Sequence, residues 1–491
     1  MQEDIFTYSH THRKVSMAAI VLYPVMGMGH LISMVELSKL ILTHHPLFTV
    51  NILLPTAPYA TGSTAQYISA VSTTNPSIIF HHLPPVSLPQ DPASYPCVEA
   101  LLFDLTRLNN PNVHTAIQSI SQTSTVHALI LDFFCAAALH VAAELYVPAY
   151  FFFTSSASGL ALFFHFPTID RSTNKNFKDL ETTVNLPCLP PIPLSHMPEP
   201  ILEKDTAEYA GFIDCSVGLS KSTGIIVNTF NSLEPKAVKD LADGVCYPDG
   251  PTPPVFCIGP LIATNHQIGN ESDDKVLESE CLTWLDKQPS QSVVFLCFGS
   301  LGLLSKAQLR EIAIGLERSG QRFLWVVRNP PPEDKRQRFL TQPDPDLNSL
   351  LPDGFLDRTK ERGLVVKRWA PQVAVLNHEA VGGFVTHCGW NSVLESICAG
   401  VPMVAWPLYA EQKLNKALLV EELKLALAMN ESKTGFVSAT EVEKRVKELM
   451  ESEEGNSLRE RVTAKRNEAM KAMGKGGSSR VALAKLVEQW K

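Results

Sequence analysis

The chain has 491 residues, enough for two or three domains. Hydrophobic residues make up 45% of it and charged residues 19%, which excludes disorder as the main state, because a disordered chain lacks apolar surface to bury. A formal net charge of −8 argues against nucleic acid as a partner, which needs a basic footprint, but leaves room for a small anion at a helix N-terminus.

Residues 1–16 are polar and lack the apolar core of a signal peptide, so a flexible N-terminal extension is expected, with Met17 as an alternative start. Short runs rich in Val, Ile and Phe then alternate with longer helical patterns. In the first half they are Ala18–Tyr23, Thr49–Leu54, Val126–Leu131, Ala149–Phe153 and Ile225–Val227. In the second half they are Val293–Phe298, Phe323–Val327, Leu364–Lys367, Gly383–Thr386 and Met403–Ala405. Continuous apolar runs with helices between them predict parallel strands buried on both faces, and two such series predict two doubly wound α/β domains. The first is expected over 17–262, ending in the Pro- and Gly-dense stretch 246–262. A linker follows at 263–277, the second domain at 278–475 and a last helix within 476–491.

The polar stretch 329–352 predicts a long surface loop, and Ser438 with Glu441 has capping-box spacing. The most apolar segment, Tyr150–Phe166, is broken by Thr154, Ser155, Ser156, Ser158 and His165 and makes a poor membrane span. Ten cysteines without a CxxC pair predict buried thiols in a reducing compartment, hence a cytoplasmic protein with neither a disulfide framework nor a zinc site.

Four strand-to-helix junctions carry chemistry. The first, Pro24–His30, frees its backbone with Gly27 and Gly29. A dinucleotide fingerprint needs a third glycine at position 32, where Ile32 stands. His30 opens the next helix at the carboxyl end of a strand, where α/β proteins bind ligands. A helix N-terminus disfavours imidazolium, so a neutral, proton-accepting His30 is expected; a capping or merely exposed histidine is the alternative. The second junction ends a strand at Asp132. This carboxylate either orients His30 or caps the following helix, and spacing leaves both open.

The third is Gly299–Gly302, whose small residues let amides approach phosphate; Ser305 and Gln308 follow with capping-box spacing. At the fourth, a strand ends at Thr386 and a helix begins near Asn391. His387, Asn391, Ser392 and the turn amides around Gly389 suit a diphosphate, and Glu395, one turn on, suits ribose hydroxyls. The plainer reading is a cap by Asn391 or Ser392 with Trp390 as packing. Asp344-Pro-Asp346 mimics a metal motif but lies in the polar loop with no strand to hold it. His44-His45 and His81-His82 lack a ligand set.

Residues 369–412, WAPQVAVLNHEAVGGFVTHCGWNSVLESICAGVPMVAWPLYAEQ, closely resemble the signature box of plant UDP-sugar-dependent glycosyltransferases of secondary metabolism. The junction with His30, the strand-end Asp132 and the Gly299-Ser300 turn fall in the order this family shows. The resemblance implies a GT-B fold: two facing Rossmann-like domains, a cleft between them, and a final helix crossing back onto the N-terminal domain. It implies that Trp369 stacks on uracil and the Ala370 backbone bonds its edge. Gln372 and Glu395 would hold ribose, and Ser300, His387, Asn391 and Ser392 the diphosphate. Trp390, Glu411 and Gln412 would contact the sugar, with Tyr409 close by and Thr154 a further sugar contact. His30 would be the general base and Asp132 its partner.

The implied activity is inverting, metal-independent glucosylation, by a monomer, of a phenolic acceptor of the flavonoid or chalcone kind, with UDP-glucose as donor and no cofactor. Gln412 fits glucose, and Trp390 stands where glucuronate users carry Arg. Acceptor contacts are expected from parts of 80–110 and 185–210. C-glucosylation, other acceptors such as terpenoids or hormones, a UDP-sugar epimerase and a non-catalytic sugar-nucleotide binder are the competing readings.

Overall fold

The computed structural model describes residues 17–58, 64–263, 271–334 and 343–490. The expected extension 1–16, the first part of the linker (264–270) and residues 335–342 of the polar loop lie outside the described residues. In chain order the first strands are β1 (Met17–Tyr23), β2 (Phe48–Leu54), β3 (Ile78–His82), β4 (Ser124–Asp132) and β5 (Ala149–Phe153). They are followed by β6 (Thr183–Val184), β7 (Ile192–Pro193), β8 (Gly224–Val227) and β9 (Val255–Cys257). The second half adds β10 (Val293–Cys297), β11 (Arg322–Val327), β12 (Gly363–Lys367), β13 (Val381–Thr386), β14 (Met403–Ala405) and β15 (Ala426–Ala428).

Two sheets result, with orders β3-β2-β1-β4-β5-β8-β9 and β12-β11-β10-β13-β14-β15; β6 and β7 form a small antiparallel pair. Every ladder of the two large sheets is parallel. The continuous apolar runs are explained by burial on both faces. Along β1, Ala19, Val21 and Tyr23 enter one core cluster while Ile20 and Leu22 enter the other. Along β10, Val293 and Phe295 face one side, and Val294 and Leu296 the other. Covering helices on both faces are the normal partners of such strands.

Three differences from the expected elements stand out. β9 forms inside the Pro- and Gly-dense stretch 246–262, because a three-residue edge strand is long enough to add to β8. The expected linker 263–277 is helical in its second part, where Glu271–Leu285 begins. Each capping box is half formed. Ser305 caps the Gln308 N–H, but the Gln308 side chain turns away to bond Val437 N and O. Ser438 caps the Glu441 N–H, while Glu441 accepts from Asn430 N and Arg445.

The halves exchange short pieces. Phe230 and Leu233, from the first half, pack in a second-half core; Leu414 packs in a first-half core. The last helix, Ser478–Glu488, returns to the first half. Leu483, Leu486, Val487 and Trp490 pack beneath β1, β2 and β5 residues, Ser479 Oγ donates to Gly259 O at 2.6 Å, and Tyr150 Oη donates to Gln489 Oε1 at 3.1 Å. Among the described residues no helix is long and apolar enough to cross a membrane.

Trp490 is buried with its ring 5.9 Å from Tyr150 and 6.4 Å from Phe48. Trp490→Ala is expected to remove about 3–5 kcal/mol of stability from the first half. The check is the midpoint of urea unfolding; an unmoved midpoint would mean that the last helix does not hold this face.

Candidate active site

The site begins where β1 and β4 end side by side. β1 pairs with β4 up to Tyr23↔Leu131, so the residue after each strand's last rung opens on the same edge. Gly27, at φ 134°, a backbone region that L side chains rarely adopt, turns the chain into helix Met28–His44 and puts His30 in its first turn. Nδ1 of His30 then lies 2.7 Å from Oδ2 of Asp132, across 102 residues of sequence. Asp132 is 1% exposed. Its other oxygen accepts the Phe134 N–H at 3.2 Å, so it is both the histidine's partner and a helix cap. The two readings that spacing left open are both realised, one per oxygen.

The pKa of His30 shifts in the direction opposite to the one its helix position alone predicts. Burial works to lower its pKa, but the Asp132 charge and hydrogen bond, together with the Glu411 charge, outweigh it and the net shift is upward. The helix N-terminus is therefore not the controlling influence; a carboxylate in direct contact is stronger than a terminal dipole.

The second half supplies a polar floor. Gly299 follows β10 at φ 73°, and a Cβ there would lie 2.5 Å from His387 Nε2; a Cβ at Gly389 would lie 2.4 Å from the same atom. The two glycines thus clasp the His387 ring. Burial pushes its pKa down to about 4, so the ring is neutral, and its Nδ1 is buried without a partner. Ser300, beside it, is exposed. Helix Trp390–Ala399 starts one residue earlier than expected, with Gly389 at its N-cap and no side-chain cap. Asn391 and Ser392 are inside the helix, so neither caps it, and its first N–H groups are left for an anion.

Gln372 Nε2 donates to Ser392 Oγ at 2.8 Å and to Glu395 Oε2 at 2.5 Å, tying three of the expected residues together. Burial pushes the Glu395 carboxyl up to about 7, while the Gln372 bond works against that rise. Trp369 is half-buried, placed by Arg368 at φ 63°, and Ala370 is buried behind it. The Tyr409 ring lies 6.0 Å from that of His387, and Gln412 Oε1 accepts the Leu408 and Tyr409 N–H groups at 2.8 and 2.9 Å.

Hydrogen bonds from the other half close on this floor. Asn391 Nδ2 donates to Ser33 Oγ at 3.3 Å, and Ser33 lies one helical turn beyond His30. Thr154 itself is half-buried at the end of β5. Its neighbour Ser155 donates to Glu411 Oε1 at 2.9 Å, and Ser156 to Asn415 Oδ1 at 3.5 Å. Asn391 and Glu411, expected at the diphosphate and the sugar, are thereby tied to the His30 helix and the end of β5. Spacing did not reveal Ser33 or Ser155; the first could have been found by its i+3 position after His30.

The fold and this cleft can now be set beside known proteins. Residues 260–462 match the family described as UDP-glucoronosyl and UDP-glucosyl transferase. UDP-glycosyltransferase 88B1 of Stevia rebaudiana is 53% identical over 471 residues, 96% of this chain and 98% of the relative. Anthocyanidin 5,3-O-glucosyltransferase of a Rosa hybrid cultivar is 51% identical over 487 residues, 96% and 99% of the two chains. The chain belongs to the UDP-glycosyltransferase family. Phytolacca americana UGT2, solved with UDP-2fluoro-glucose and pterostilbene, superimposes with a TM-score of 0.84 at 39% identity, over 96% of this chain and 99% of that one. The fold is accordingly GT-B.

In this UDP-glycosyltransferase Trp390 also ties the two halves to each other. The Trp390 indole is 2% exposed, packs in a second-half core and donates to Asn228 O at 2.7 Å. The indole thus pins the halves together. The Asp344-Pro-Asp346 motif is also accounted for: Asp344 pairs with Arg368 at 2.6 Å, and Asp346 caps the Asn348 N–H.

The upward shift of His30 gives a direct prediction. In histidine-labelled protein its NMR titration midpoint is expected above the ordinary 6.5, because the protonated ring is favoured beside Asp132. In Asp132→Asn the midpoint should fall by about one pH unit or more. An identical midpoint in both proteins would remove Asp132 as the cause.

Proposed function

We propose that the enzyme is an inverting glucosyltransferase that moves glucose from UDP-glucose to a hydroxyl of a phenolic plant metabolite of the flavonoid kind. The observation that carries the reading is the buried Asp132 carboxylate on His30 Nδ1, set one helical turn from the Ser33–Asn391 bridge. Nδ1 is engaged, which leaves Nε2 to accept a proton. In the proposed step His30 Nε2 takes the phenolic proton while the phenolate oxygen attacks the anomeric carbon. The bond from that carbon to the UDP oxygen breaks on the opposite face, so an α-linked donor gives a β-glucoside. Asp132 stabilises the imidazolium formed.

The departing UDP gains negative charge, and two features support its stabilisation without a metal. Helix Trp390–Ala399 begins there with uncapped N–H groups. The neutral His387 ring can offer an N–H but no full charge. Glu411 and Gln412 remain the proposed sugar contacts, Trp369 and Ala370 the uracil contacts, and Gln372 with Glu395 the ribose contacts. Glucose as the sugar is supported by Gln412 and by the names of the relatives, one an anthocyanidin glucosyltransferase and one solved with UDP-2fluoro-glucose.

An aromatic wall supports a planar phenol as acceptor. Phe134 meets His30 edge-on at 5.9 Å; Phe103 lies 5.7 Å and Phe212 5.8 Å from Phe134. Phe103 and Phe134 are half-buried, so they offer ring surface beside the base. Phe103 falls in the expected stretch 80–110, whereas Phe134 and Phe212 come from outside both expected stretches. The proposal includes a monomer; its placement in the cytoplasm is supported by ten free thiols, seven of them buried.

The test is incubation with UDP-glucose and a panel of flavonols, chalcones and simple phenols, read by product mass and acid hydrolysis. An acid-labile hexoside is expected; an acid-stable one would move the reading to carbon as the acceptor atom. UDP-glucose should outcompete UDP-galactose and UDP-glucuronate. His30→Ala is expected to lower the rate on a weakly acidic phenol at least about a hundredfold. Near-normal turnover by that variant would sink the general-base assignment.

A further inference from the structure

Arg328 is the first residue after β11, and nothing in the roles above uses it. β10 and β11 run in register up to Leu296↔Trp325, so Arg328 emerges beside the Gly299-Ser300 turn that follows β10. Its Nη1 donates to Gly299 O at 3.2 Å and to Ser300 O. It is half-buried, and among the described residues no carboxylate pairs with it. Arg368, the corresponding cation after β12, is by contrast neutralised by Asp344 at 2.6 Å.

A half-buried guanidinium with two carbonyl partners and no counter-charge is unusual, since such a cation is normally paired. Burial lowers its pKa, yet arginine stays charged in proteins. The location says what the charge is for. In the order β12-β11-β10-β13, the half-buried Trp369 follows β12 and His387 follows β13. A nucleotide diphosphate with its base at Trp369 and its phosphates at His387 and helix Trp390–Ala399 must pass the ends of β11 and β10. There it would meet two carbonyl dipoles, of Gly299 and Ser300, whose negative ends repel phosphate unless they are turned aside and covered. The turn has little freedom of its own, because Gly299 is at φ 73° and fits against the His387 ring with no room for a Cβ.

We propose that Arg328 is a positioning residue for the donor diphosphate: it holds the Gly299 and Ser300 carbonyls to itself, so that the turn presents amide and hydroxyl to the phosphates within the field of an uncompensated positive charge. The planar fork of arginine suits two carbonyls at once, which an ammonium does less well. The inference rests on the UDP-sugar reading of this cleft given above.

The experiment compares UDP with uridine by calorimetry on the wild-type chain, Arg328→Met and Arg328→Lys. Uridine lacks the diphosphate, so it reports general damage to the site. Arg328→Met is expected to bind UDP at least about tenfold more weakly, with uridine affinity changed less than about twofold. Arg328→Lys should recover part of the loss by restoring charge without the fork. UDP affinity unchanged in Arg328→Met, or UDP and uridine weakened equally, would overturn the proposal. Should Arg328→Met fail to fold, Arg328→Lys decides. A selective loss of UDP of about threefold or more supports the role, and no selective loss overturns it. A wild-type chain that binds UDP no better than uridine would overturn the diphosphate site itself. A wild-type preference for UDP that survives in Arg328→Met would overturn Arg328 alone.

Discussion

Everything in the first half serves one adjacency: β1 and β4 are hydrogen-bonded neighbours, and both end on the same edge of the sheet. Parallel pairing of β1 with β4 puts both carboxyl ends on the same edge, so residues 102 apart in sequence become a 2.7 Å contact without any local device. The buried carboxylate then sets the chemistry. A histidine in the first turn of a helix would be discouraged from protonating, whereas one touching a carboxylate that is 1% exposed is encouraged to. The fold thus builds a base stronger than its helix position alone would allow.

Interior strands were legible in the sequence because burial on both faces forces an uninterrupted apolar run. β1, β2, β4, β5, β8, β10, β11, β13 and β14 all have that signature, and the edge strand β12 was legible only because its run Leu364–Val366 is apolar though mostly half-buried. The three missed strands of the large sheets, β3, β9 and β15, are all sheet edges. An edge strand need satisfy only one neighbour and can be short or half exposed, as β3 is, with its two histidines on the last rungs; His81 is held there by Asn51 at 2.8 Å. The pattern that identifies a strand is strongest where the strand is most enclosed.

The site was legible for the opposite reason. Its second-half residues sit in one continuous segment, so a resemblance could name them, but position in a segment does not say which way a side chain faces. Trp390 shows the difference. Trp390, Val393, Leu394 and Ile397 form a buried stripe at helical spacing, while Asn391 and Glu395 lie on the other face. That stripe was present in the sequence and points the indole inward. Ser155 and Arg328 were not visible at all, and Ser33 only by its position one turn after His30, because each acts on a group brought to it by a different strand end.

The exchange between the halves explains why the sugar end of the cleft is built where it is. Leu414 and the half-buried Ala417 pack on the first-half core, and Asn415 bonds both Cys388 O and the Ser156 hydroxyl. The segment from Tyr409 to Asn415 is encoded with the second half yet anchored to the first. In return, Phe230 and Leu233 are anchored in the second, and the Asn228 carbonyl receives the Trp390 indole. A polar contact across a cleft is worth only about 1 kcal/mol on its own, too little to fix the geometry of two large domains. Buried apolar side chains exchanged in both directions supply far more, because each removes a whole side chain from water. The polar bridges Asn391–Ser33 and Ser155–Glu411 can therefore serve orientation, with the cost of holding the halves together met by the exchanged hydrophobic residues.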